Sequence, residues 1–160
     1  MSTLKVGTIQ DHANGNNAIT IDSSGRVFKP QIPFISMLRN ADADYTVGST
    51  ITDFRVEESR GITHSNGVMT VPVAGLYYIY INGIMNTTAG IFLNVGGNTI
   101  HRIIYSAKDV SAWESVSGQH IMQIAAGAEV KFVAANGTVG LYGSTSATGA
   151  VGGAGIYLIG

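Results

Sequence analysis

The stretch GVMTVPVAGLYYIYINGIM, Gly67 to Met85, decides the fold that the sequence predicts. It is too apolar for a surface loop, and it is rich in Val, Ile and Tyr, which favour strands. Pro72 has no N–H to donate to a neighbouring strand, so it marks a strand end or an edge. The pattern predicts two strands, Val68 to Val73 and Leu76 to Ile84. At the corner between them the chain crosses from one sheet to another, and Gly75 is expected to supply backbone freedom.

Successive side chains of the second predicted strand point to opposite faces. One face carries Leu76, Tyr78, Tyr80 and Asn82, and the other carries Tyr77, Ile79, Ile81 and Gly83. Because both faces are largely apolar, we expect either a central strand or a strand covered by a neighbouring subunit.

Short apolar runs of strand length recur along the rest of the chain, and almost nothing has helical periodicity. Further predicted strands are Ile32 to Leu38, Gly90 to Val95, His120 to Ile124, Val130 to Ala134 and Gly155 to Ile159. Turn-forming residues separate them in HSNG (64–67), NVGGN (94–98), AAGAE (125–129) and AANG (134–137). Only SAKDVSAWES, 106–115, is compatible with a helical turn. This organisation predicts an all-β antiparallel sandwich or barrel.

The composition indicates a chain that is covered by a partner. Only 12% of the 160 residues are charged and 45% are hydrophobic, with a mean hydropathy of +0.23, whereas about a quarter of an average soluble domain is charged. No apolar run is long enough to insert into a membrane, and the start, MSTLK, lacks the apolar core of a secretion signal. We therefore expect the apolar excess to be buried against a protein, most simply another copy of the chain.

Charge and cysteine content narrow the partners and the compartment. The net charge of −1 gives no electrostatic attraction to nucleic acid. The absence of cysteine excludes disulfides and thiolate metal sites, and it agrees with assembly in a reducing cytoplasm.

Residues 31–160 resemble the C1q/TNF-like domain in three successive motifs. GVMTVPVAGLYYIYING is similar to the family's hallmark, in which a strand ends in a Pro-Val pair before an aromatic-rich strand. SGQHIMQIAAGAEVKFVAANG, 117–137, resembles a later hairpin, and LYG with GGAGIYLIG, 141–160, resembles the closing segment. Met69 and Val71 depart from the animal pattern, and the absence of a Gly-X-Y run argues against a complement-like role. The resemblance implies a ten-stranded jelly roll that assembles as a compact homotrimer.

Residues 1–30 have a different composition. Their apolar residues are scattered between polar turn-formers and cannot bury a core alone: Leu4, Val6, Ile9, Ile19, Ile21 and Val27. The sequence TLKV followed by ITIDSSGRV resembles the N-terminal segments of bacteriophage tail-fibre-like proteins. This resemblance implies a short β-rich segment for attachment to another virion protein and for trimerisation. Asp22 to Gly25 is predicted to turn a hairpin whose strands stack with those of partner chains.

The sequence gives little support for a catalytic site or a metal site. His12, His64, His101 and His120 do not stand in a metal-ligand spacing, and no GxSxG, P-loop or dinucleotide motif is present. GAVGGAGIY, 149–157, lacks the strand-to-helix setting of a phosphate loop and is interpreted as a Gly-rich turn. Asn40 to Asp44 could supply carboxylates to calcium, but without EF-hand spacing a solvated loop is favoured, as it is for Glu57 and Glu58.

The single tryptophan, Trp113, lies in a polar segment near Tyr105, Lys108 and Asp109. An indole beside charges is a candidate contact surface for a host glycan or protein. The alternative interpretation is that the ring folds back onto the sandwich.

These observations predict a non-enzymatic bacteriophage virion protein without cofactors, located on the tail or the capsid. The favoured role is a homotrimeric fibre tip or adhesin that binds the host cell surface. The alternative is a head fibre or decoration protein on the capsid that binds no receptor. A sugar-processing tail enzyme is disfavoured because no convincing carboxylate pair stands in the sequence.

Overall fold

The computed structural model describes residues 6–10, 17–28, 32–106, 113–144 and 152–160, which form strands, turns and loops without a helix. Within these ranges, accordingly, no helix is long and apolar enough to cross a membrane. The chain divides into two compact units, Met1–Ile32 and Pro33–Gly160. The sequence resemblance places the boundary two residues earlier, after residue 30.

The first unit contains a three-stranded antiparallel sheet in the order β1-β2-β3, with β1 at Thr8–Gln10, β2 at Asn17–Ile21 and β3 at Val27–Phe28. Asp22 organises the turn between β2 and β3, because its Oδ1 accepts the N–H groups of Ser24 and Arg26, each at 2.9 Å. The backbone N–H and the guanidinium of Arg26 lower the pKa of the Asp22 carboxyl. Gly25 follows at a φ of 78°. The predicted hairpin turn is thus confirmed, and the stacking of its strands with partner chains stays a prediction.

The described part of the second unit contains twelve strands, where the family resemblance implies ten. They are β4 at Phe34–Arg39, β5 at Ala43–Tyr45, β6 at Phe54–Arg60, β7 at Thr63–Ser65, β8 at Val68–Thr70, β9 at Gly75–Met85, β10 at Gly90–Val95, β11 at Asn98–Tyr105, β12 at Glu114–Ile124, β13 at Glu129–Ala135, β14 at Val139–Leu141 and β15 at Gly153–Leu158. Four of these strands, β5, β7, β8 and β14, are only three residues long.

The twelve strands form a jelly-roll β-sandwich of two antiparallel sheets. One sheet has five strands in the order β11-β10-β13-β8-β7. The other has seven, in the order β5-β14-β9-β15-β4-β6, with β12 paired along the whole of β9. The predicted all-β sandwich is confirmed, and β9 is a central strand, flanked by β15 and β12.

Every strand predicted in the second unit is present, but five strands were not anticipated: β5, β6, β7, β11 and β14. β6 is an edge strand with the sequence FRVEESR, and most of its side chains are exposed, so it lacks an apolar pattern. β12 begins at Glu114, well before the predicted His120, because its outer positions carry Ser and Gln. The suggested helical turn over 106–115 is therefore wrong for its last residues, which begin β12, while 107–112 lie outside the described residues.

The core lies between the two sheets and is made of alternate residues from their facing sides. Tyr77, Ile79 and Ile81 of β9 are at most 1% exposed. They pack with buried residues of both sheets, including Ile35, Met37, Ile91, Leu93, Val130, Phe132 and Ile156. This alternation determines which residues of each strand face outward.

The chain crosses between the sheets at the predicted corner, because β8 belongs to the five-stranded sheet and β9 to the seven-stranded one. The Tyr77 hydroxyl donates to the Val73 carbonyl at 2.8 Å and holds the corner against β9. The expected role of Gly75 was wrong. Its φ is not positive; instead, a Cβ there would collide with the Leu158 side chain and lie 2.9 Å from the Gly160 carbonyl oxygen. Gly75 is needed for close approach of the C-terminal segment.

The four predicted turns all occur where the sequence places them. Asn66 and Gly67 both have positive φ, at 47° and 77°, as the tight hairpin between β7 and β8 requires. Gly67 also lies against the Ile51 carbonyl, so that a side chain at this position has no room.

Candidate self-association surface

A row of four stacked aromatic rings crosses the outer face of the seven-stranded sheet. Phe34 of β4 lies 6.1 Å from Tyr157 of β15, Tyr157 lies 5.9 Å from Tyr80 of β9, and Tyr80 lies 6.2 Å from Tyr78, measured between ring centroids. All three contacts are stacked, with interplanar angles between 12° and 23°. We call Phe34, Tyr157, Tyr80 and Tyr78 the aromatic row.

Strand register brings these rings together from distant parts of the chain. Tyr157 pairs with Phe34 on one side and with Tyr78 on the other. Gly155 pairs with Tyr80, and a Cβ on Gly155 would lie 2.8 Å from the Tyr80 hydroxyl oxygen. The absence of a side chain at Gly155 therefore allows the Tyr80 ring to lie across β15 towards Tyr157.

Few polar groups interrupt the aromatic row. The hydroxyls of Ser36 and Tyr80 share a hydrogen bond of 3.3 Å, and the Tyr78 hydroxyl donates to Gln119 Oε1 at 2.7 Å. Partial burial raises the pKa of the Tyr80 phenol, although the hydrogen bond from Ser36 opposes this effect. The row is therefore largely apolar, with one charged neighbour at its end, where the Arg60 guanidinium lies 5.2 Å from the Phe34 ring centroid.

Neither sheet covers the outer face of β9. Its inner side chains are buried, whereas Leu76, Tyr78 and Tyr80 on the outer face are half-buried. Within a single chain, large aromatic side chains on a central strand thus remain partly open to solvent. Contiguous exposed apolar patches of this kind are typical of interaction sites.

Exposed apolar side chains also lie on the edge strands β11 and β12. Ile100 is 38% exposed, Tyr105 is 55% exposed and Ile121 is 53% exposed. Ile121 pairs with Tyr78 and therefore extends the face of the aromatic row, whereas Ile100 and Tyr105 lie on β11 at the edge of the five-stranded sheet. The Arg102 guanidinium lies 4.7 Å from the Tyr105 ring centroid and covers part of it. We call Ile100 and Tyr105 the edge patch.

Of the residues predicted as a recognition surface, Tyr105 and Trp113 are described, and Lys108 and Asp109 lie outside the described residues. Trp113 packs edge-to-face on Tyr142, with ring centroids 5.3 Å apart, and remains 50% exposed. The indole is therefore supported by the sandwich yet half open to solvent. Tyr105 packs under Arg102 instead and has no ring contact with Trp113 among those described.

Two described histidines form a pair. His101 of β11 and His120 of β12 pack edge-to-face with centroids 4.1 Å apart. Burial, and then the neighbouring His101, lower the pKa of His120. His64 is half-buried, and burial lowers its pKa. His12 lies outside the described residues. In the part of the chain that the structure covers, no group of three or more His, Asp or Glu side chains is placed to hold a metal ion.

The acidic residues considered for calcium have separate surroundings. Asp42 Oδ1 accepts the Gly143 N–H at 2.7 Å, and Asp44 is exposed on β5 opposite Gly140. Glu57 is exposed and accepts the Arg55 Nε–H at 2.7 Å. Sequence reasoning missed that β5 and β14 pair, which brings Asp42 and Asp44 near Trp113 and Tyr142.

The apolar residues assigned to attachment lie in the first unit. Val6, Ile9 and Val27 are 39%, 48% and 59% exposed, whereas Ile19 and Ile21 on β2 are half-buried. Leu4 lies outside the described residues. The small sheet thus leaves much of its apolar surface open.

No family model matches the chain, and no curated protein sequence matches it. Several solved structures are similar to the chain. Eiger TNF from S. frugiperda superposes with a TM-score of 0.63 at 11% identity, covering 81% of this chain and 94% of that one. The globular domain of the zebrafish complement 1qA protein gives 0.61 at 18% identity over 81% and 98% of the two chains. Murine APRIL at pH 5.0 gives 0.60 at 13% identity over 80% and 99%.

These similarities establish a C1q/TNF-like jelly-roll fold, as the sequence motifs predict. At identities of 11–18% they concern the fold alone.

Proposed function

We propose that this chain is a non-enzymatic bacteriophage virion protein, a homotrimeric fibre tip or adhesin that binds the host cell surface. Residues 33–160 form the self-associating head, and residues 1–32 attach it to another virion protein. The observation that carries the proposal is the aromatic row, a stack of rings left half-open on the outer face of the seven-stranded sheet. The virion context is supported by the resemblance of residues 1–30 to tail-fibre-like proteins.

Symmetry indicates what the aromatic row contacts. Around a three-fold axis each subunit presents two different patches, one to each neighbour. The described surface offers a second set of exposed apolar side chains in the edge patch, Ile100 and Tyr105 of β11. The proposed trimer therefore packs the aromatic row of one subunit against the edge patch of the next.

Light scattering tests the assembly, and the expected mass is three times 16.7 kDa. Tyr157→Lys places a charge at the middle of the row and should yield a monomer with an unchanged circular dichroism spectrum. Val47→Lys is the matched control, because Val47 is 62% exposed in a loop outside both patches, and it should remain trimeric. A wild-type chain that is a stable monomer at micromolar concentration contradicts the proposal.

Immunogold electron microscopy of intact virus particles tests the location. Label at the fibre tips, together with binding of the purified protein to host cells, supports the adhesin. Label spread over the capsid without cell binding favours a head fibre or decoration protein instead.

A further inference from the structure

A cavity of about 350 Å³ opens beside Trp113 at one end of the second unit. It is lined by Asp42, Ala43, Asp44, Asn86, Trp113 and Leu141. The pairing of Gly140 with Asp44 and of Leu141 with Ala43 brings β5 and β14 together beside it. The volume lies at the lower end of the roughly 300–1,000 Å³ typical of small-molecule sites.

One wall of the cavity is an aromatic surface. The Trp113 ring is held by Tyr142 at 5.3 Å and 73°, so its orientation is supported from the sandwich side. Half of the indole nevertheless remains exposed. A supported, half-open indole is suited to pack against the C–H face of a flat polar ligand while its N–H remains available to hydrogen bond.

The polar groups of the cavity are mainly hydrogen-bond acceptors. Asp42 uses Oδ1 to accept the Gly143 N–H, which leaves its second carboxylate oxygen to a ligand. Asp44 is exposed, and its Oδ1 lies in the space that a Cβ on Gly140 would fill. Asn86 also lines the cavity, but its Oδ1 is buried against Gly140 and is closed to a ligand. The acceptors open to a ligand are therefore the carboxylates of Asp42 and Asp44.

We propose that this cavity binds a neutral sugar residue of a surface glycan. Sugar hydroxyls donate to the second carboxylate oxygen of Asp42 and to Asp44, and the apolar side of a pyranose ring packs on Trp113. The two carboxylates repel sialic acids, uronic acids and phosphorylated sugars, so the ligand is not an acidic sugar. This inference rests on the proposed adhesin function and names its ligand class and its site.

A bare cation suits the cavity less well. No group of three acidic or histidine side chains gathers there among the described residues. The half-exposed indole would also contribute nothing to a calcium site, because calcium is bound by oxygen ligands. Cation binding is therefore an outcome that the experiment must separate from sugar binding.

Trp113 is the only tryptophan of the chain, so tryptophan fluorescence reports directly on the cavity. The full-length protein is titrated with glucose, galactose, mannose and N-acetylglucosamine, with sialic acid and glucuronic acid, and with calcium chloride. At least one neutral sugar should shift the emission saturably, while the acidic sugars leave it unchanged. No response to any neutral sugar, a preference for the acidic ones, or a response to calcium alone overturns the proposal.

Variants locate the site by calorimetry with the best neutral sugar. Trp113→Ala should weaken binding by more than about tenfold, as loss of a central aromatic anchor usually does. Asp44→Ala should weaken binding with little change in the melting temperature, because the Asp44 side chain is exposed. Val73→Ala is the matched control, because Val73 is 43% exposed and lies before β9, at the opposite end of that strand from the cavity, and it should bind like the wild type. Equal affinity of Trp113→Ala and wild type contradicts the proposal.

The failure of this inference can be distinguished from the failure of the adhesin function. If wild type and Trp113→Ala bind host cells equally, the adhesin function stands and the sugar site is wrong. If neutral sugars bind at Trp113 but the protein does not bind host cells, the site stands and the adhesin function is wrong.

Discussion

The guanidinium of Arg39 donates a hydrogen bond to the hydroxyl of Tyr45 at 3.0 Å, although Arg39 is 1% exposed. The same hydroxyl donates to Asp53 Oδ2 at 2.7 Å, so hydrogen bonds through the tyrosine hydroxyl connect the buried guanidinium to a carboxylate. Arg39 also donates to the carbonyls of Thr52 and Ala41, at 2.6 and 2.8 Å. These bonds tie the segment that carries Asp42 and Asp44 to the core.

Tyr45→Phe should therefore lower the free energy of unfolding by about 1–3 kcal/mol, because it removes a hydrogen bond to a buried charge. The control is Tyr78→Phe, which removes a hydrogen bond from an exposed hydroxyl and should cost less than about 0.5 kcal/mol. Urea unfolding measures both values. Equal stability of Tyr45→Phe and wild type would mean that the hydrogen bonds of this hydroxyl contribute nothing.

Gly75→Val should destabilise the second unit by about 1–3 kcal/mol through overpacking against Leu158. Gly83→Ala, in the same strand, is the matched control, because its Cβ would lie at an ordinary 3.6 Å from Leu141 Cδ2. Leu158→Ala should reduce the cost of Gly75→Val in a double-mutant cycle. An additive double mutant would show that the collision with Leu158 is not the cause.

Stability should fall on acidification because of His120, whose ring packs against His101. Burial and the neighbouring ring hold the pKa of His120 below the ordinary value of about 6.5, so the unfolded chain binds a proton more readily than the folded one. The contribution of neutral His120 to the free energy of unfolding is complete above pH 6.5. It is lost as the pH falls from 6.5 through the lowered pKa. His120→Gln should flatten the melting temperature between pH 7 and 5 relative to wild type. An identical slope in the variant contradicts this assignment.

Head and attachment segment should be separable. A chain that begins at Pro33 should fold and self-associate, because the boundary between the two compact units lies there. It should fail to join virus particles that lack the native protein. Conversely, residues 1–28 fused to an unrelated trimer should be recruited to those particles. Normal incorporation of the truncated chain would place attachment in the head.

The sequence by itself determined seven of the twelve described strands of the second unit, the four turns and the crossing between the sheets. These features are local. Side-chain alternation predicts a strand, and Asn66-Gly67 and Gly96-Gly97 adopt the positive φ that tight turns require. Pro72 marks a strand end because it has no N–H to donate to a neighbouring strand. The order of the three motifs indicated the C1q/TNF-like fold. Strands without an apolar pattern, such as β6, escaped prediction because an edge strand buries little.

Only the tertiary structure decided which of these residues meet. The aromatic row joins Phe34 to Tyr157 across more than a hundred residues, and its contacts depend on strand register, which local sequence does not encode. Gly75 is required by Leu158, which follows more than eighty residues later, and not by its own backbone angle. The acceptors beside Trp113 likewise come from β5 and from the end of β9. Local propensity acts between neighbours in sequence, whereas burial and surface complementarity act between residues that only folding brings together.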